Sequence, residues 1–309
     1  MAEELVVAIF GPTASGKSAV AEALADLVPA EVVSADAMQV YRGLPLLTNQ
    51  PTRPARLTAV WPLDHEGSVG EYQQLAHAAI DEIVAAGRTP ILAGGTGLYL
   101  RAALAELALP PAPPPGARQR FERLYDRLGP ERTHAALARR DPGAAAAVHP
   151  NDRRRVVRAL ELNEAGASLR ARNDRLWSEE TRHPSLVVGL DVSREVLAAR
   201  IEERTRRMFE LGVEEEVRKA VAGRVSATAR HVIGLDEIAS LPRGEAITAV
   251  ALRTRRYAAY QRKWMRRLPG AVLLDGERPA GVTAAEIVAL ADDRKVHLFG
   301  AARRSGNPL

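Results

Sequence analysis

The sequence of 309 residues contains no cysteine. It can therefore hold neither a disulfide framework nor a thiolate metal site, and this absence is typical of proteins from a reducing compartment. No apolar run reaches the length that spans a membrane, and the N-terminus lacks the basic segment and long apolar stretch of a secretory signal. We therefore predict a cytoplasmic protein that does not enter the membrane.

Aromatic residues make up only 4% of the chain, but hydrophobic residues together make up 46%. That fraction is enough for a packed core, and the length predicts one large domain or two modest ones. The formal net charge is +5. A basic balance favours a polyanionic partner such as nucleic acid, although a solvated basic surface gives the same composition.

A phosphate-binding pattern, G-x-x-x-x-G-K-[ST], occupies residues 11–18, which read Gly11-Pro12-Thr13-Ala14-Ser15-Gly16-Lys17-Ser18. An apolar run at 5–10 precedes it and an alanine-rich segment with helical spacing follows, which is the strand, loop and helix context that the pattern requires. Such a loop directs backbone N–H groups and a helix N-terminus at phosphate oxygens. We expect Lys17 to lie along a phosphate chain and Ser18 to hold Mg²⁺. The alternative is a glycine-rich turn that binds nothing.

Alternating apolar and helical segments predict a P-loop α/β core with a parallel sheet flanked by helices. The predicted strands lie at residues 5–10, 31–34, 59–63, 89–93, 185–191 and 271–275, and a helix is predicted over 69–86. In such sheets ligands bind beyond the carboxyl ends of the strands. Residues that directly follow each strand are therefore the first candidates for function.

Two more of these junctions carry reactive side chains. Asp36 follows the second strand and could act as a general base, and Gln39, one helical turn later, has the donor and acceptor that read an adenine edge. The alternative is that Asp36 caps a following helix. In the third junction, residues 94–101, the hydroxyl of Thr96 and the guanidinium of Arg101 could both meet a phosphate chain.

A proline-rich segment at 109–116 predicts a stiff hinge and a domain junction. The following region is predicted to be helical and basic, and the strand at 185–191 returns the chain to the sheet. We therefore predict three segments: 1–116 as the first part of the core, 117–175 as an inserted all-helical domain, and 176–309 as the second part. The last segment is predicted to hold charged helices over 193–222, interrupted near Leu211 and Gly212, and over 254–268, with a frayed end at 303–309.

Together these motifs resemble one family, the tRNA dimethylallyltransferases. The resemblance rests on GPTASGKS at 11–18, SADAMQVYRG at 34–43, SVGEY at 68–72, ILAGGTGLYLRA at 91–102, DPGAAAAVHPNDRRRVVRALE at 141–161 and TRRYAAYQRKWMR at 254–266. It covers nearly the whole chain in the family's order. The chain departs from the family's pattern at Ala37, at residues 234–237, at Tyr260 and at Lys263.

The resemblance implies transfer of a dimethylallyl group from dimethylallyl diphosphate to the exocyclic N6 amine of the adenosine on the 3′ side of the anticodon in tRNA. Mg²⁺ is the implied cofactor, the anticodon stem-loop is the implied RNA partner, and we expect a monomer. The implied catalytic residues are Asp36, Thr96 and Arg101. The implied diphosphate-binding residues are Gly11, Thr13, Ala14, Ser15, Gly16, Lys17 and Ser18, of which Ser18 also binds the metal. The implied tRNA-binding residues are Asp36, Ala37, Met38, Gln39, Thr96, Arg118, Arg154, Arg155, Val156, Val157, Arg158 and Arg204.

Two other functions fit a P-loop followed by an aspartate: a kinase that transfers phosphate from ATP, and a non-catalytic NTPase that binds RNA. The kinase hypothesis leaves the basic helical insertion and the basic, aromatic helix at 254–268 without an explanation. Transfer from labelled dimethylallyl diphosphate, compared with labelled ATP, would separate the three hypotheses.

Overall fold

The computed structural model describes residues 5–109, 114, 116–169, 175–293 and 298. The chain divides into two compact units, one formed by Met1–Glu106 with Leu176–Leu309 and the other by Leu107–Arg175. The predicted hinge falls largely on residues 110–113 and 115, and the predicted frayed end on 303–309, so both lie outside the described residues.

The first unit contains a parallel sheet of five strands. These are β1 (Val6–Phe10), β2 (Ala30–Ser34), β3 (Thr89–Gly94), β4 (Ser185–Asp191) and β5 (Val272–Asp275), in the order β2-β3-β1-β4-β5. Because β1 is central and all five of its residues are buried, the loop that follows it lies at the middle of the sheet's carboxyl edge. The predicted α/β class with a parallel sheet is confirmed.

Helices in the described part of the chain flank this sheet or form the second unit. They are α1 (Lys17–Leu27), α2 (Val69–Ala85), α3 (Gly97–Leu104), α4 (Ala117–Leu128), α5 (Pro130–Arg140), α6 (Pro142–Ala146), α7 (Arg153–Glu164), α8 (Arg194–Glu210), α9 (Val213–Ala222), α10 (Leu235–Ser240), α11 (Arg243–Met265) and α12 (Ala280–Asp293). Over the described ranges, none of them is long and apolar enough to cross a membrane.

Each unit has its own apolar core. In the first unit, side chains of β1, β3 and β4 such as Val7, Ile91 and Val188 pack against α1 and α12. A second cluster in that unit joins α8, α9 and α10 to residues 44–47. The helical unit buries one face of α4, α5 and α7 around Phe121 and Leu160. Burial of these apolar faces stabilises each unit independently of the other's core.

The predicted strand at 59–63 is wrong. In the structure this segment makes only an isolated bridge between Tyr41 and Trp61. Leu57 and Ala59 adopt left-handed backbone angles, with φ of 61° and 55°, which interrupt an extended chain. Pro62 then removes a backbone donor that a strand would use.

Most helix predictions hold. The interruption near Leu211 and Gly212 is confirmed, because Gly212, at φ 91°, separates α8 from α9. The predicted start of the basic helix at Thr254 is wrong, since α11 begins at Arg243, directly after Pro242. The alanine-rich stretch between these two positions favours helix, so the apolar and basic parts form one continuous helix.

Candidate active site

The phosphate-binding pattern forms a tight loop between β1 and α1. Ala14 and Gly16 both adopt left-handed angles, with φ of 65° and 91°, and Gly16 is the cap of α1. The Ser15 N–H donates to Pro12 O at 3.1 Å, which closes the turn. The N-terminus of α1 therefore opens directly into the loop, where its amides and dipole attract anions.

A cavity of about 310 Å³ lies over this loop. It gathers three cations and one carboxylate, and the residues that line it are Thr13, Ala14, Gly16, Lys17, Ser18, Ala19, Asp36, Gln39, Thr48, Asn49, Arg200 and Arg204. Four segments thus meet around a single space: the phosphate-binding loop with the start of α1, the turn after β2, residues 48–49, and α8. The excess of positive charge fits a ligand with several negative charges.

Lys17 is a partly buried cation of the cavity. Burial lowers its pKa to about 8, and the Asp36 carboxylate opposes this shift while Arg204 adds to it. The ammonium group donates only to Pro12 O, at 3.3 Å, among its described partners. A bound anion would restore the solvation that burial removes, so the lysine is suited to a phosphate ligand.

Other donors near the loop are also left without partners. Within the described residues, neither Ser15 Oγ nor Arg204 Nε has a hydrogen-bond partner, and both atoms are buried. Burial lowers the pKa of Arg204, and Asp36 opposes that shift too. Unsatisfied buried donors are costly, so their presence indicates a place that a ligand completes.

Asp36 does not cap a helix, so that alternative is wrong. Its Oδ1 accepts a hydrogen bond from the Met38 N–H at 2.9 Å, within a turn that follows β2. The predicted helical turn between Asp36 and Gln39 is absent for the same reason, since residues 37–40 form turns. The carboxylate nevertheless lines the cavity that Lys17 and Ser18 line.

Gln39 also lines the cavity, but its amide is engaged by the protein. Its Oε1 accepts from Ser34 Oγ at 2.9 Å, and its Nε2 donates to the backbone oxygens of Thr48 and Asn49, at 3.3 and 2.8 Å. Contact with an adenine edge would require this side chain to exchange those bonds for new ones. Its predicted contact with RNA remains a prediction.

Thr96 lies beside the loop that carries Asp36. Its Oγ1 accepts from the Ala37 N–H at 3.2 Å and lies 3.4 Å from the hydroxyl of Tyr257. The two junctions after β2 and β3 are therefore joined, as their position on neighbouring strands predicts. Thr96 remains a predicted catalytic residue on the Asp36 side of the cavity.

Arg101 is placed differently. Its side chain is 2% exposed on α3, and it donates to the backbone oxygens of Leu176, at 2.9 Å, and Glu180, at 3.4 Å. These bonds tie α3 to the segment with which the chain returns to the first unit. The described contacts of Arg101 are thus structural, and its predicted role with phosphate has no support from them.

The predicted tRNA-binding residues of the helical unit fall into three groups. Arg118 and Arg158 form ion pairs within their own helices, with Glu122 at 3.4 Å and Glu161 at 3.1 Å. Arg154 and Arg155 are exposed. The side chains of Val156 and Val157 are buried in the unit's core, so any contact of these two with RNA could involve only their backbone.

Residues of the site that were not predicted include Arg200, Tyr257 and Gln261. Arg200 lies one helical turn before Arg204 on α8, and its Nη1 donates to Ala14 O at 3.4 Å. That spacing could have identified it once α8 was predicted. Tyr257 and Gln261 reach the loops from α11, and the sequence holds no local signal for such a contact.

The predicted Mg²⁺ site was tested against the side chains present. Among the residues that the structure describes, no group of three or more His, Asp or Glu side chains is placed so that it could hold a metal ion. Ser18 and Asp36 line one cavity, however, and Mg²⁺ commonly binds through one or two protein oxygens together with phosphates and water. The residues therefore fit a metal that arrives with a diphosphate ligand.

Comparisons with known proteins agree with this geometry. A family model described as IPP transferase matches residues 39–268, and one described as isopentenyl transferase matches residues 4–58. The chain is 40% identical to a protein named tRNA dimethylallyltransferase from Salinispora arenicola, over 87% of this chain and 82% of that protein. It is 42% identical to the protein of that name from Anaeromyxobacter dehalogenans, over 86% and 93%.

Solved structures give the same relationship. The tRNA isopentenylpyrophosphate transferase from Bacillus halodurans matches with a TM-score of 0.68 and 32% identity, over 94% of this chain and 96% of that one. A eukaryotic dimethylallyltransferase acting on tRNA matches with a TM-score of 0.74, and at 23% identity it supports the fold alone. Because the first family model spans most of the chain and the relatives exceed 30% identity, the chain belongs to the IPP transferase family.

Proposed function

We propose that this protein transfers the dimethylallyl group of dimethylallyl diphosphate to the exocyclic N6 amine of the adenosine on the 3′ side of the anticodon in tRNA. The observation that carries the proposal is the single cavity in which a phosphate-binding loop and the Asp36 carboxylate meet. The names of the relatives support the same reaction class. Diphosphate is the second product.

The cations of the cavity would stabilise the leaving group. When the allylic carbon–oxygen bond breaks, its electron pair stays on the diphosphate oxygen. Lys17, Arg204 and the amides at the start of α1 lie where that charge would develop, in a partly buried site. Fixed donors in such a site stabilise developing charge more than water does, because they need no reorganisation.

Asp36 would act on the nucleophile. The adenine amine is a poor nucleophile because its lone pair is delocalised into the ring, and it forms the new bond to the allylic carbon while it loses a proton. A carboxylate that accepts this proton contributes about 10²–10⁴ in rate. The Met38 N–H holds one oxygen of Asp36 and fixes the carboxylate for this role.

Ser18 would hold Mg²⁺ together with the diphosphate, with Asp36 as the nearest carboxylate of the cavity. When bound, the ion supplies charge neutralisation for the departing diphosphate. Thr96 would position the Asp36 loop through the Ala37 N–H. Arg101 would support the site only through the fold of α3.

Exposed cations of the helical unit would bind the RNA backbone. Arg154 and Arg155 are among the exposed arginines that the structure leaves without a described ion pair, and contacts with phosphate position RNA without reading its sequence. The target adenosine must leave its stack to reach Asp36, which costs a few kcal/mol. Contacts in the loop at 36–39 would offset this cost.

The deciding experiment is a transfer assay with unmodified tRNA and labelled dimethylallyl diphosphate, run beside labelled ATP. We expect label from the prenyl donor on tRNA, release of diphosphate, and no incorporation when the target adenosine is replaced by guanosine. Phosphate transfer from ATP without prenyl transfer would instead establish the kinase hypothesis. Binding of tRNA without either transfer would leave the chain as a non-catalytic binder.

A further inference from the structure

Gln261 connects two loops of the site that are far apart in the sequence. Its Oε1 accepts a hydrogen bond from the Thr13 N–H at 2.8 Å, across 248 residues. Its Nε2 donates to Gly95 O at 2.9 Å, across 166 residues. One amide on α11 therefore joins the phosphate-binding loop after β1 to the loop after β3.

The surroundings of Gln261 bury its side chain and allow the loop after β3 to approach it closely. The side chain is 2% exposed, so its two hydrogen bonds are shielded from water. Gly95 allows this close approach, because a Cβ there would lie 2.2 Å from Gln261 Nε2 and would displace the amide. A buried amide with both ends satisfied fixes its partners, whereas a buried unsatisfied N–H is costly.

Neighbouring residues of α11 hold the same loop. Tyr257, one turn earlier, places its hydroxyl 3.4 Å from Thr96 Oγ1. Trp264 packs so closely on Gly97 that a Cβ there would lie 2.2 Å from its ring. Residues at this spacing share one face of a helix, so α11 lies along the loop after β3.

A continuous path of hydrogen bonds follows from these contacts. It begins at Thr13 in the phosphate-binding loop and passes through Gln261 to Gly95. From there the backbone leads to Thr96, whose hydroxyl accepts from the Ala37 N–H next to Asp36. The path links the loop that would hold the leaving group to the loop that carries the base.

We infer that Gln261 is a positioning residue, which holds the phosphate-binding loop in register with the Asp36 loop so that the donor carbon faces the amine. The inference rests on the proposed function. Misplacement of reacting groups by about 1 Å can lower a rate by about 10²-fold, even when each group still binds its ligand. Loss of Gln261 should therefore affect the chemical step more than diphosphate binding, because Lys17, Ser18 and the start of α1 remain.

Gln261→Met tests this, because methionine has a similar length and shape but forms neither hydrogen bond. We expect the single-turnover rate at saturating donor and tRNA to fall about 10- to 100-fold. The Kd for inorganic diphosphate, measured by calorimetry, should stay within about threefold of wild type. Thr254→Val, a buried polar substitution two turns earlier on α11, is the matched control and should keep the wild-type rate.

Gln261→Glu supplies a second, pH-dependent readout. An ionised glutamate accepts from Thr13 but repels Gly95 O, whereas the neutral acid can both accept and donate as glutamine does. Burial raises the pKa of a carboxyl group, so the neutral form should return within the accessible pH range. We expect the rate of this variant, divided by the wild-type rate at the same pH and per folded molecule, to rise as pH falls from 8 to 6.

The outcomes separate this inference from the proposed function. A wild-type protein without transfer activity would overturn the proposed function itself. An active wild type with an unchanged single-turnover rate in Gln261→Met would overturn the positioning role alone. Equal losses of rate and diphosphate affinity, or a Gln261→Glu ratio that does not vary with pH, would also overturn it.

Discussion

The sheet edge and the helical unit use positive charge in different ways. In the cavity at the sheet edge, Lys17, Arg200 and Arg204 face a single carboxylate, and burial shifts the pKa values of Lys17 and Arg204 downward. In the helical unit, several arginines lie beside acids on the surface, as in the pairs Arg153–Asp126 and Arg120–Glu164, and others are exposed to solvent. Desolvated, under-compensated cations indicate an anion site, whereas exposed ion pairs contribute little.

Charge composition therefore overstates the anion-binding capacity of the helical unit and understates that of the cavity. The helical unit drew attention because its arginines are numerous, but Arg118, Arg153 and Arg158 are already paired. The cavity has only three cations, but a single carboxylate, Asp36, is present to compensate their charge. Substitutions in the cavity should therefore change the transfer rate or diphosphate affinity strongly. Substitutions in the helical unit should change tRNA affinity only modestly, and by an amount that differs from one arginine to the next.

The largest loss of transfer rate is expected from Asp36→Asn in the cavity. Asparagine keeps the size of the side chain and an oxygen that can accept from the Met38 N–H, so the melting temperature should barely change. It cannot accept the proton of the amine, and the chemical step should slow by about 10²- to 10⁴-fold. Single-turnover transfer at saturating tRNA measures this step without a contribution from binding.

Asp64→Asn is the matched control, because Asp64 is an exposed carboxylate in the same unit. It should keep the wild-type transfer rate. A wild-type rate in Asp36→Asn would remove Asp36 from the chemistry and leave it as a turn residue.

A somewhat smaller effect, on the affinity for diphosphate, is expected from Lys17→Met. Loss of a charged hydrogen bond of about 1.5–3 kcal/mol should weaken diphosphate binding by about 10- to 100-fold at pH 7. For the wild type, affinity should fall as pH rises above about 8, where the free lysine loses its proton. Calorimetric titration with inorganic diphosphate from pH 7 to 9 should show this fall in the wild type relative to the variant, in which only the protonation of the ligand changes.

The folding stability of the ligand-free protein should rise with pH, whereas its affinity for diphosphate should fall. The pKa of Lys17 is about 8 in the folded protein and ordinarily 10.5, so the unfolded chain binds more protons between these values. The stability of the ligand-free wild type should therefore rise, relative to Lys17→Met, as pH increases from about 8 to 10.5. Below pH 8 the variant should be the more stable protein. A melting temperature of Lys17→Met below that of the wild type at pH 7 would contradict the conclusion that burial of the charged lysine destabilises the ligand-free protein.

Local patterns predicted the sheet and the phosphate-binding loop because their causes are local. A continuous apolar run specifies β1, and the glycine at position 16 permits the φ that the loop requires. Asp36 and Thr96 could be placed near the loop because they follow neighbouring strands. The partners of Gln39 and Arg101 could not be predicted, since backbone carbonyls of distant segments leave no sequence signal.

The same reasoning explains the errors. The segment at 59–63 is apolar enough for a strand, but Leu57 and Ala59 adopt left-handed angles that their residue types do not favour and that the sequence therefore does not indicate. Gln261 reaches the phosphate-binding loop across 248 residues, a distance at which periodicity carries no information. Sequence patterns therefore place the elements, and packing decides which side chains meet.

A modest effect is expected from the exposed arginines of the helical unit. The double variant Arg154→Gln with Arg155→Gln removes two cations that no described side chain neutralises. Affinity for tRNA should fall about tenfold at low salt, and the slope of log K against log salt should decrease by up to about 2. Filter binding over a salt series measures both, and the Kd for diphosphate should not change. An unchanged slope would show that these side chains do not contact phosphate.

The smallest effect is expected from Arg153→Gln, one residue earlier on α7. Arg153 donates to both oxygens of Asp126, at 2.9 and 2.8 Å, and its guanidinium lies 5.9 Å from the ring centre of Tyr125. Because Asp126 already compensates its charge, tRNA affinity should change less than twofold. The lost ion pair should lower the stability of the protein very little, since the pair is exposed and screened. Thermal melting and filter binding test the two expectations. A loss of tRNA affinity equal to that of the Arg154 and Arg155 variant would show that pairing with Asp126 does not decide which arginines bind RNA.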